Sequence, residues 1–364
     1  MDIKKIVVQD FRNIELQELM FCPNINCISG GNGEGKTNLL DAIWYLSMTK
    51  SAFSTSDRFN FRHGCSSFAL SGLYTMPSGP DTRISIKVDE NGKKLRRDDK
   101  PYSRLADHIG LLPVVMVSPA DVAMVSETGE ERRKFCNAVL SQMSAEYLNA
   151  VQNYTRLLSQ RNAMLKNGVS DAQLYEVIDS QMEEYAKPVF EMRSALAADL
   201  SPLVQELYSS ISGGKEEVSI RYRSDLEKGP LTSILRSRME RDSILKYTGA
   251  GIQRDDFLFE LNGWPIRRCG SQGQQKSFLV ALKFAQYRLM KDRGGLAPIL
   301  LLVDLFDKLD MGRVQNLLTM VAGNDFGQIF LSDSNKVRLS GIVDSITAER
   351  TYYEAKGGAF SRND

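Results

Sequence analysis

A short run of residues near the amino terminus combines glycines with one lysine and one hydroxyl group. Gly30-Gly31-Asn32-Gly33-Glu34-Gly35-Lys36-Thr37 fits the spacing G-x-x-x-x-G-K-[ST]. Glycines let backbone N–H groups converge on an anion without interference from Cβ atoms. The lysine adds a positive charge, and a threonine hydroxyl at this position is a ligand for Mg²⁺. The pattern therefore predicts a loop that binds the phosphates of a nucleotide.

The residues on either side of this loop support the same interpretation. The apolar run 25–28 precedes it as a short strand, and 38–46 follows it as an amphipathic helix. The helix directs its positive end at the phosphates, while Lys36 reaches the β- and γ-phosphates as the catalytic lysine and Thr37 ligates Mg²⁺. The predicted nucleotide contacts are Gly30, Gly31, Asn32, Gly33, Glu34, Gly35, Lys36, Thr37 and Asn38.

Composition narrows the class of protein. Among 364 residues, 46 basic side chains balance 45 acidic ones, so a polyanion must be held by a local patch and not by the overall charge. The five cysteines show no C-x-x-C spacing, which is typical of reduced thiols, and two histidines exclude a histidine-rich metal site. The start lacks the apolar run of a signal peptide, and the longest apolar stretch, 299–303, is too short to cross a bilayer. We expect a soluble, cytoplasmic protein.

Periodicity separates the chain into strand-rich and helix-rich sections. Alternating segments at 67–74 and 84–88, the latter running into Asn91-Gly92, predict strands and a hairpin. From 130 to 166 and from 172 to about 210 the apolar residues recur at helical spacing, with Pro188 expected to kink or interrupt the second helix. The two helices form either an antiparallel hairpin arm or part of a compact helical domain. Strand character returns at 218–222, 257–261, 299–303 and 328–332, so the helical section is inserted into one nucleotide-binding unit.

A second segment belongs to the same predicted site. Ser271-Gln272-Gly273-Gln274-Gln275-Lys276 begins a helix with residues that can present a hydroxyl and backbone amides to an anion, although an ordinary helix cap has a similar pattern. The order of P-loop, this segment and the apolar strand 299–303 resembles the ATP-binding-cassette (ABC) class. In that class this segment is the signature, and the signature of one protomer covers the γ-phosphate held by the P-loop of another.

Further motifs narrow the resemblance to the SMC-related family of ABC-type ATPases, and they span essentially the whole chain. They are 10–14, 33–43, 118–121, 131–135, 160–162 with Leu165, 254–257, the signature and Asp307-Lys308-Leu309-Asp310. The resemblance implies an α/β fold: an ABC-type P-loop ATPase head, with a mixed sheet and an antiparallel β-subdomain, carrying an inserted α-helical arm domain. The expected domains are 1–117 and 246–364 for the head and 118–245 for the arm or lobe, with a helix hairpin at 130–210.

The resemblance also implies a function. Such proteins bind DNA with ATP and Mg²⁺, recognise gaps or single-strand/double-strand junctions, and help recombination mediator proteins of the RecR/RecO type to place recombinase. ATP at the P-loop would be covered by Ser271, Gly273 and Gln274 of a second copy, which makes an ATP-dependent homodimer that clamps DNA during recombinational and replication-gap repair. A slow, DNA-stimulated ATPase is the expected activity.

The chain departs from the family pattern at three positions. The family's apolar strand ends in two carboxylates, of which the first orders Mg²⁺ through its water shell and the second positions the attacking water. Here Val303 stands at the first position and Asp304 at the second, where it is the remaining catalytic carboxylate. Weak hydrolysis with retained nucleotide binding is the expected result. Asn137 replaces a frequent acid, and Gln253 replaces a usual histidine.

Three basic clusters are candidates for DNA contact: 93–94 with 96–97, 132–134, and 267–268. The cluster beside the Asn91-Gly92 turn is the best single candidate, whereas Arg132 and Arg133 have internal pairing with Asp121 or Glu130 as an alternative. Other functions remain open at this point. They are a non-hydrolysing ATP/DNA clamp, a P-loop kinase of small molecules, and the nucleotide subunit of a transporter.

Overall fold

The computed structural model describes residues 1–214, 216–304, 326–344, 347 and 349–363. The strands are β1 (Asp2–Phe11), β2 (Ile14–Met20), β3 (Ile25–Ser29), β4 (Phe68–Thr75), β5 (Thr82–Asp89), β6 (Gly92–Arg97), β7 (Lys100–Pro101), β8 (Val114–Val117), β9 (Val218–Arg223), β10 (Asp256–Leu261), β11 (Trp264–Pro265), β12 (Ile299–Val303), β13 (Ile329–Asp333), β14 (Arg350–Lys356) and β15 (Ala359–Asn363). The helices are α1 (Lys36–Met48), α2 (Ala123–Ser126), α3 (Gly129–Met143), α4 (Ala145–Lys166), α5 (Ala172–Ser212), α6 (Leu231–Leu245), α7 (Ile266–Cys269), α8 (Gln272–Gly294) and α9 (Lys336–Val343).

These elements form two compact units. The first contains Met1–Asp121, Ser210–Gly213 and Lys283–Asp364, and the second contains Val122–Ser209 and Gly214–Leu282. The sequence assigned 246–282 to the ATPase head, but contacts place this stretch in the second unit because β10 pairs with β9. The functional assignment of 1–117, 118–245 and 246–364 stays a prediction.

The first unit holds two sheets. One has the order β2-β1-β4-β5-β6-β7 and is antiparallel throughout, with the predicted hairpin between β5 and β6 closed at Asp89 and Gly92. Its strands alternate between buried and more exposed residues, as β4 does along its whole length, because one face packs on the core and the other does not.

The other sheet of the first unit is mixed, with the order β15-β14-β3-β13-β12-β8. Strands β14, β3, β13, β12 and β8 run parallel, and β15 returns antiparallel. Every residue of β3, β8, β12 and β13 is buried, as expected for parallel strands covered on both faces. Helix α1 contacts strands of both sheets, so it forms the core between them. The predicted mixed sheet and antiparallel β-subdomain are confirmed.

The second unit is mainly helical, with a small antiparallel sheet of order β11-β10-β9. Helices α4 and α5 run antiparallel, since Arg161 near the end of α4 contacts Asp179 near the start of α5, and Tyr147 at the other end contacts Arg193. The turn between them lies at 167–171, as predicted. Arg161 also contacts Asp242 of α6, so the hairpin packs against a third helix.

Two details of the helical prediction were wrong. The helix expected over 130–166 is divided at Ser144, whose hydroxyl accepts a hydrogen bond from the Tyr147 amide and caps α4. The interruption expected at Pro188 is absent, because α5 is continuous from 172 to 212 with Pro188 and Pro202 inside it; the alternative, a kink at Pro188, stays a prediction. None of the helices in the described part of the chain combines the length and apolar character that crossing a bilayer requires.

Candidate nucleotide-binding site

The backbone of the predicted phosphate loop takes conformations that favour glycine. Gly30, Gly33 and Gly35 have φ angles of 148°, 82° and 110°. A Cβ atom on Gly30 would lie 2.5 Å from the carbonyl oxygen of Ala355, so space as well as conformation restricts this position. Strand β3 ends at Ser29 and α1 begins at Lys36, which confirms the strand–loop–helix arrangement.

The amino terminus of α1 is open to an anion. Its N-cap is Gly35, which makes no side-chain capping bond, and the first turn contains no acidic residue. The first N–H groups of a helix have no intrahelical acceptor, and the helix dipole adds partial positive charge there. These features together form the environment that phosphate groups prefer at a helix terminus.

The side chain of Lys36 lies inside the predicted phosphate-binding loop. Its side chain is buried, and its Nζ donates to the carbonyl oxygens of Gly30 at 2.8 Å and Gly31 at 2.9 Å. The ammonium group is therefore positioned over the loop backbone. An anion bound by the same loop would lie within reach of this group and would receive charge-assisted hydrogen bonds.

A polar network beneath the loop fixes its position. Asn38 donates through Nδ2 to Oδ1 of Asn13 at 2.7 Å and accepts from Nη1 of Arg12 at 2.9 Å. Arg12 also pairs with the buried Asp41 of α1, Nη2 to Oδ2, at 2.7 Å. Burial raises the pKa of Asp41, and the facing Arg12 guanidinium partly offsets this. The sequence identified 10–14 only as a family motif; its supporting role required the structure.

A turn between β14 and β15 holds the other side of the loop. The Gly358 amide donates to the carbonyl oxygen of Glu34 at 2.9 Å, and the Gly357 amide donates to the Glu34 carboxylate. Glu34 therefore anchors the loop through both its backbone and its side chain. Asn32 lies at the exposed tip between the glycines.

The carboxyl end of β12 carries the departure from the family pattern. Val303 is the last residue of the strand, is buried, and pairs in register with Ser332 of β13. Asp304 follows with a φ of 45°, and its amide donates to the Ser332 carbonyl oxygen at 3.1 Å. Its Oδ1 accepts from the Ser332 hydroxyl at 3.4 Å. Val303 thus presents an isopropyl group at the end of β12, where the resemblance predicts a carboxylate, and Asp304 contacts the neighbouring strand.

Asp333 is a candidate site residue that sequence reasoning missed. It ends β13, which lies between the P-loop strand β3 and β12, and it pairs in register with Ser29 directly before the loop. The side chain is buried, and Oδ1 accepts from the Asn335 amide at 2.6 Å. Carboxyl ends of adjacent parallel strands share one edge of a sheet, where ligands bind in such folds. An acid after the apolar run 328–332 was the available signal.

The side chains near the phosphate loop suit a metal ion that arrives bound to the nucleotide phosphates better than a metal ion bound by the protein alone. Within the described residues, no group of three histidine, cysteine or carboxylate side chains could hold a metal ion. Thr37 is half-buried at the start of α1, Asp304 directly follows β12, and Asp333 ends the neighbouring strand β13. Mg²⁺ commonly binds through one or two such groups together with substrate phosphates. The predicted motif 307–310 lies outside the described residues.

The signature segment lies in the second unit, at the start of α8. Ser271 is exposed, and its hydroxyl accepts from the Gln274 amide at 3.3 Å while Oε1 of Gln274 accepts from the Ser271 amide at 2.6 Å. This reciprocal pair is a capping box. Nε2 of Gln274 also donates to Glu216 at 2.5 Å. Gly273 lies in the first turn, where the helix has no side chain to cover its backbone.

The basic clusters have different environments. Arg132 is buried and pairs with Asp256 at 2.8 Å, so internal pairing is confirmed but the expected partners were wrong. Asp121 pairs instead with Lys283, and Glu130 with Lys134. Arg132 is therefore structural and Arg133 donates to the Asp255 carbonyl oxygen at 2.7 Å, whereas Lys134 is exposed on α3. Arg267 and Arg268 are exposed on α7.

The two smaller departures belong to a buried network of the second unit. Asn137 accepts from Arg193 at 3.0 Å and from the Tyr147 hydroxyl at 2.6 Å. Gln253 accepts from the Tyr154 hydroxyl at 2.5 Å. Both amides satisfy buried donors, so their contacts support packing of the helical unit.

Comparison with known proteins gives consistent matches over the full length. The family model described as "RecF/RecN/SMC N terminal domain" matches residues 2–346. The DNA replication and repair protein RecF of Parabacteroides distasonis is 41% identical over 358 residues, 98% of each chain. A solved structure of the recombination mediator protein RecF-ATP in the RecFOR pathway has 26% identity and a TM-score of 0.89, covering 100% of this chain and 97% of that chain.

A more distant structure supports the fold alone. An Smc head bound to the C-terminal winged-helix domain of ScpA has 13% identity and a TM-score of 0.59, covering 100% of this chain and 97% of that chain. Together with the family model, the RecF-ATP structure and the mixed sheet, this likeness confirms the predicted ABC-type ATPase head with its helical insertion.

Proposed function

Because the chain belongs to the RecF family of DNA replication and repair proteins, we propose that it binds ATP at its P-loop and acts on DNA as an ATP-dependent homodimer. The observation that carries this proposal is the phosphate loop. Gly30, Gly33 and Gly35 have positive φ angles, α1 begins without a side-chain cap, and Lys36 is held over the backbone. A similar chain solved as RecF-ATP supports ATP as the nucleotide.

Each residue of the proposed site has a separate role. The loop amides and the end of α1 bind phosphate oxygens, and Lys36 neutralises charge on the β- and γ-phosphates. Mg²⁺, when bound with the nucleotide, would neutralise further phosphate charge. Thr37 would hold it, and Asp304 is the proposed group that orients the attacking water. Asn38 acts through its contacts with Arg12 and Asn13, which hold the loop in place.

The proposed second wall of the site is the signature of another copy. The capping box uses the Ser271 and Gln274 amides, whereas the amides of Gln272 and Gly273 precede the first intrahelical bond. Ser271 is exposed, so a second protomer can present its hydroxyl and these amides to the γ-phosphate. ATP would then join the two protomers, and its hydrolysis would release them.

The molecular mass in solution tests this proposal. We expect the mass measured by light scattering to double when ATP and Mg²⁺ are added. A single molecule at saturating ATP, both with and without gapped DNA, would contradict the proposed dimer. Binding of labelled ATP, measured in parallel, separates a failure to bind nucleotide from a failure to dimerise.

A signature variant should uncouple ATP binding from dimerisation. In Ser271→Arg, the bulky cation blocks approach of a second P-loop, so we expect the ATP-dependent dimer to weaken by about 10–100-fold, the equivalent of roughly 1.5–3 kcal/mol. ATP affinity of the monomer should be unchanged. Ser271→Thr, which keeps both hydroxyl and cap, is the matched control and should dimerise normally. Equal dimerisation of the arginine variant would argue against a role for the signature.

Val303 leads us to propose that the ATPase is slow. Restoring a carboxylate in Val303→Asp should raise ATP turnover by about tenfold or more, since a barrier lowered by about 1.4 kcal/mol gives a factor of ten. Val303→Asn introduces a side chain of the same shape as aspartate but without its negative charge, and it serves as the control. Turnover that stays at the wild-type level in the aspartate variant, with ATP binding retained, would refute the assigned position of Val303.

A non-hydrolysing ATP/DNA clamp is the second candidate function, and the buried Val303 is the observation that favours it. Both candidate functions require nucleotide binding, dimerisation and DNA binding, and they differ only in whether ATP is hydrolysed. We further propose gapped or junction DNA as substrate and mediators of the RecR/RecO type as partners. This is supported by similarity to a RecF described within the RecFOR pathway.

A further inference from the structure

The outer face of the antiparallel sheet in the first unit carries a concentrated positive charge. Strand alternation places Lys87 of β5 and Lys94 and Arg96 of β6 on this face, and all three are exposed. Lys87 lies directly opposite Lys94, and Arg96 lies opposite Ser85. With about 3.4 Å per residue along a strand, Lys94 and Arg96 are about 7 Å apart.

The same alternation places Lys93 on the opposite face of the sheet, toward the core. Its Nζ pairs with Asp57 at 3.0 Å, lies 4.8 Å from the ring centroid of Tyr45, and donates to the carbonyl oxygen of Thr49. Lys93 therefore anchors the β5–β6 hairpin to the core. The basic cluster identified in the sequence is thus two sets of residues with different roles.

The outward cations lack compensating charge. No ion pair joins Lys87, Lys94 or Arg96 to a carboxylate in the described part of the chain. Carboxylates lie at the margins of the face, where Glu18 pairs with Lys5 at 2.5 Å and Asp89 accepts from the Asn91 amide. Like charges directly opposite each other destabilise an antiparallel pair. Their presence points to an anionic partner.

The side chains at the centre of this face are small, and two of them are polar. Ser71 and Ser85 are directly opposite each other on β4 and β5, and beside Ala69 and Val7 they form a shallow depression of about 280 Å³. Protein–protein interfaces usually bury aromatic or large aliphatic side chains at their centre. Two hydroxyls flanked by cations match phosphate oxygens better, because hydroxyls and basic groups are the common donors to a nucleic-acid backbone.

We propose that this cationic face, defined as Ser71, Ser85, Lys87, Lys94 and Arg96, binds the sugar–phosphate backbone of DNA. The inference rests on the proposed function and names the surface that this function would use. Its contacts are to phosphate, so the binding is independent of base sequence and falls steeply with salt.

Protection of a sheet edge does not account for Lys87, and a second basic surface is partly neutralised by its own carboxylates. Edge-strand lysines often prevent unwanted strand pairing, but Lys87 lies on β5, which is paired on both sides. An arginine-rich pocket in the second unit is lined by Arg221, Arg223 and the exposed Arg267 and Arg268, together with two carboxylates. There Arg221 pairs with Glu260 at 2.8 Å and Arg223 with Asp256 at 3.6 Å.

The test compares the triple variant Lys87→Gln/Lys94→Gln/Arg96→Gln with wild type in binding gapped DNA at several salt concentrations. Each phosphate contact contributes about 0.9 to the slope of log K against log salt on duplex DNA, so we expect the slope to fall by about 3. Affinity should fall about tenfold or more at low salt. Lys166→Gln/Lys187→Gln/Lys228→Gln removes the same charge from exposed positions of the second unit and should leave the slope unchanged.

The outcomes separate this inference from the proposed function. If wild type and triple variant have equal slopes while both bind ATP and DNA, the cationic face is not the DNA surface and the inference falls alone. If the wild-type protein binds ATP but no DNA at all, both the inference about the cationic face and the proposed function are wrong. If polyglutamate competes with DNA as effectively as unlabelled DNA does, the assignment to a nucleic-acid backbone is overturned. Thermal melting of each variant verifies that the fold is kept.

Discussion

Lys36→Ala is expected to weaken ATP binding by about 100-fold and to abolish the ATP-dependent doubling of mass. The ammonium group is buried over the loop, 2.8 and 2.9 Å from two carbonyl oxygens, so its removal takes away the positive charge nearest to bound phosphates. Hydrogen bonds to charged groups contribute roughly 1.5–3 kcal/mol each. One such bond to each of the β- and γ-phosphates, at the lower figure, corresponds to about two orders of magnitude in affinity. Equilibrium binding of fluorescent ATP measures the loss.

Two controls complete this experiment. Lys228→Ala removes an exposed lysine from the second unit and should bind ATP like wild type. Lys36→Arg keeps the charge but not the compact shape of the ammonium group, and we expect intermediate affinity. If the alanine variant binds ATP within about threefold of wild type, the assigned role of Lys36 in phosphate binding is wrong.

Arg161→Met is expected to destabilise the second unit by about 3–5 kcal/mol, which is the usual cost of leaving buried charges without their partner. Arg161 is fully buried and contacts Asp179 at 2.7 Å, Asp242 at 3.1 Å and the Thr248 hydroxyl at 2.9 Å. Its loss leaves the Asp179 carboxylate without its paired cation and the Asp242 carboxylate with only Arg238, at 3.9 Å. Urea unfolding monitored by circular dichroism measures the change, provided that the transition of the second unit is resolved.

A compensating variant distinguishes charge from packing. In Arg161→Met/Asp179→Leu/Asp242→Leu three charges of this cluster are removed together, and Arg238 loses its contact with Asp242, at 3.9 Å. Much of the lost stability should return because apolar replacements of buried ion pairs are often neutral or stabilising. If the triple variant is as unstable as the single one, the network contributes mainly through shape.

The pH dependence of the single variant provides a further check. Burial raises the pKa of Asp179 and the facing Arg161 lowers it, so removing Arg161 raises the pKa of this carboxyl further. A raised carboxyl pKa in the folded state destabilises the protein above the unfolded-state pKa and not below it. The stability gap to wild type should therefore narrow as the pH falls through the raised pKa. A gap that stays constant over that range would contradict this account.

The same cluster explains one family motif in structural terms. Asn162, beside Arg161, accepts from both the amide and the hydroxyl of Thr248 at 2.8 Å. Two adjacent residues of α4 therefore bind the segment that follows α6. The sequence identified 160–162 only through resemblance, because the partners lie about eighty positions further along the chain.

Local features were predictable because their causes lie within a few residues. Glycines that tolerate positive φ, followed by a lysine, define the phosphate loop at Gly30–Thr37, and alternation with Asn91-Gly92 defines the β5–β6 hairpin. The turn at 167–171 was also readable. The division at Ser144 had a local signal too, a serine followed by an acidic first turn, but the continuous apolar spacing concealed it.

The phosphate loop, most of the strands and helices and the family could therefore be predicted from the amino-acid sequence. The pairing of Arg132 with Asp256, 124 positions away, and the place of Asp333 beside the P-loop strand became visible only in the folded chain. The tertiary structure also separated the inward Lys93 from the outward Lys94. Conformational preferences act between near neighbours, whereas ion pairs, sheet order and the buried side of a strand depend on which distant segments meet when the core closes.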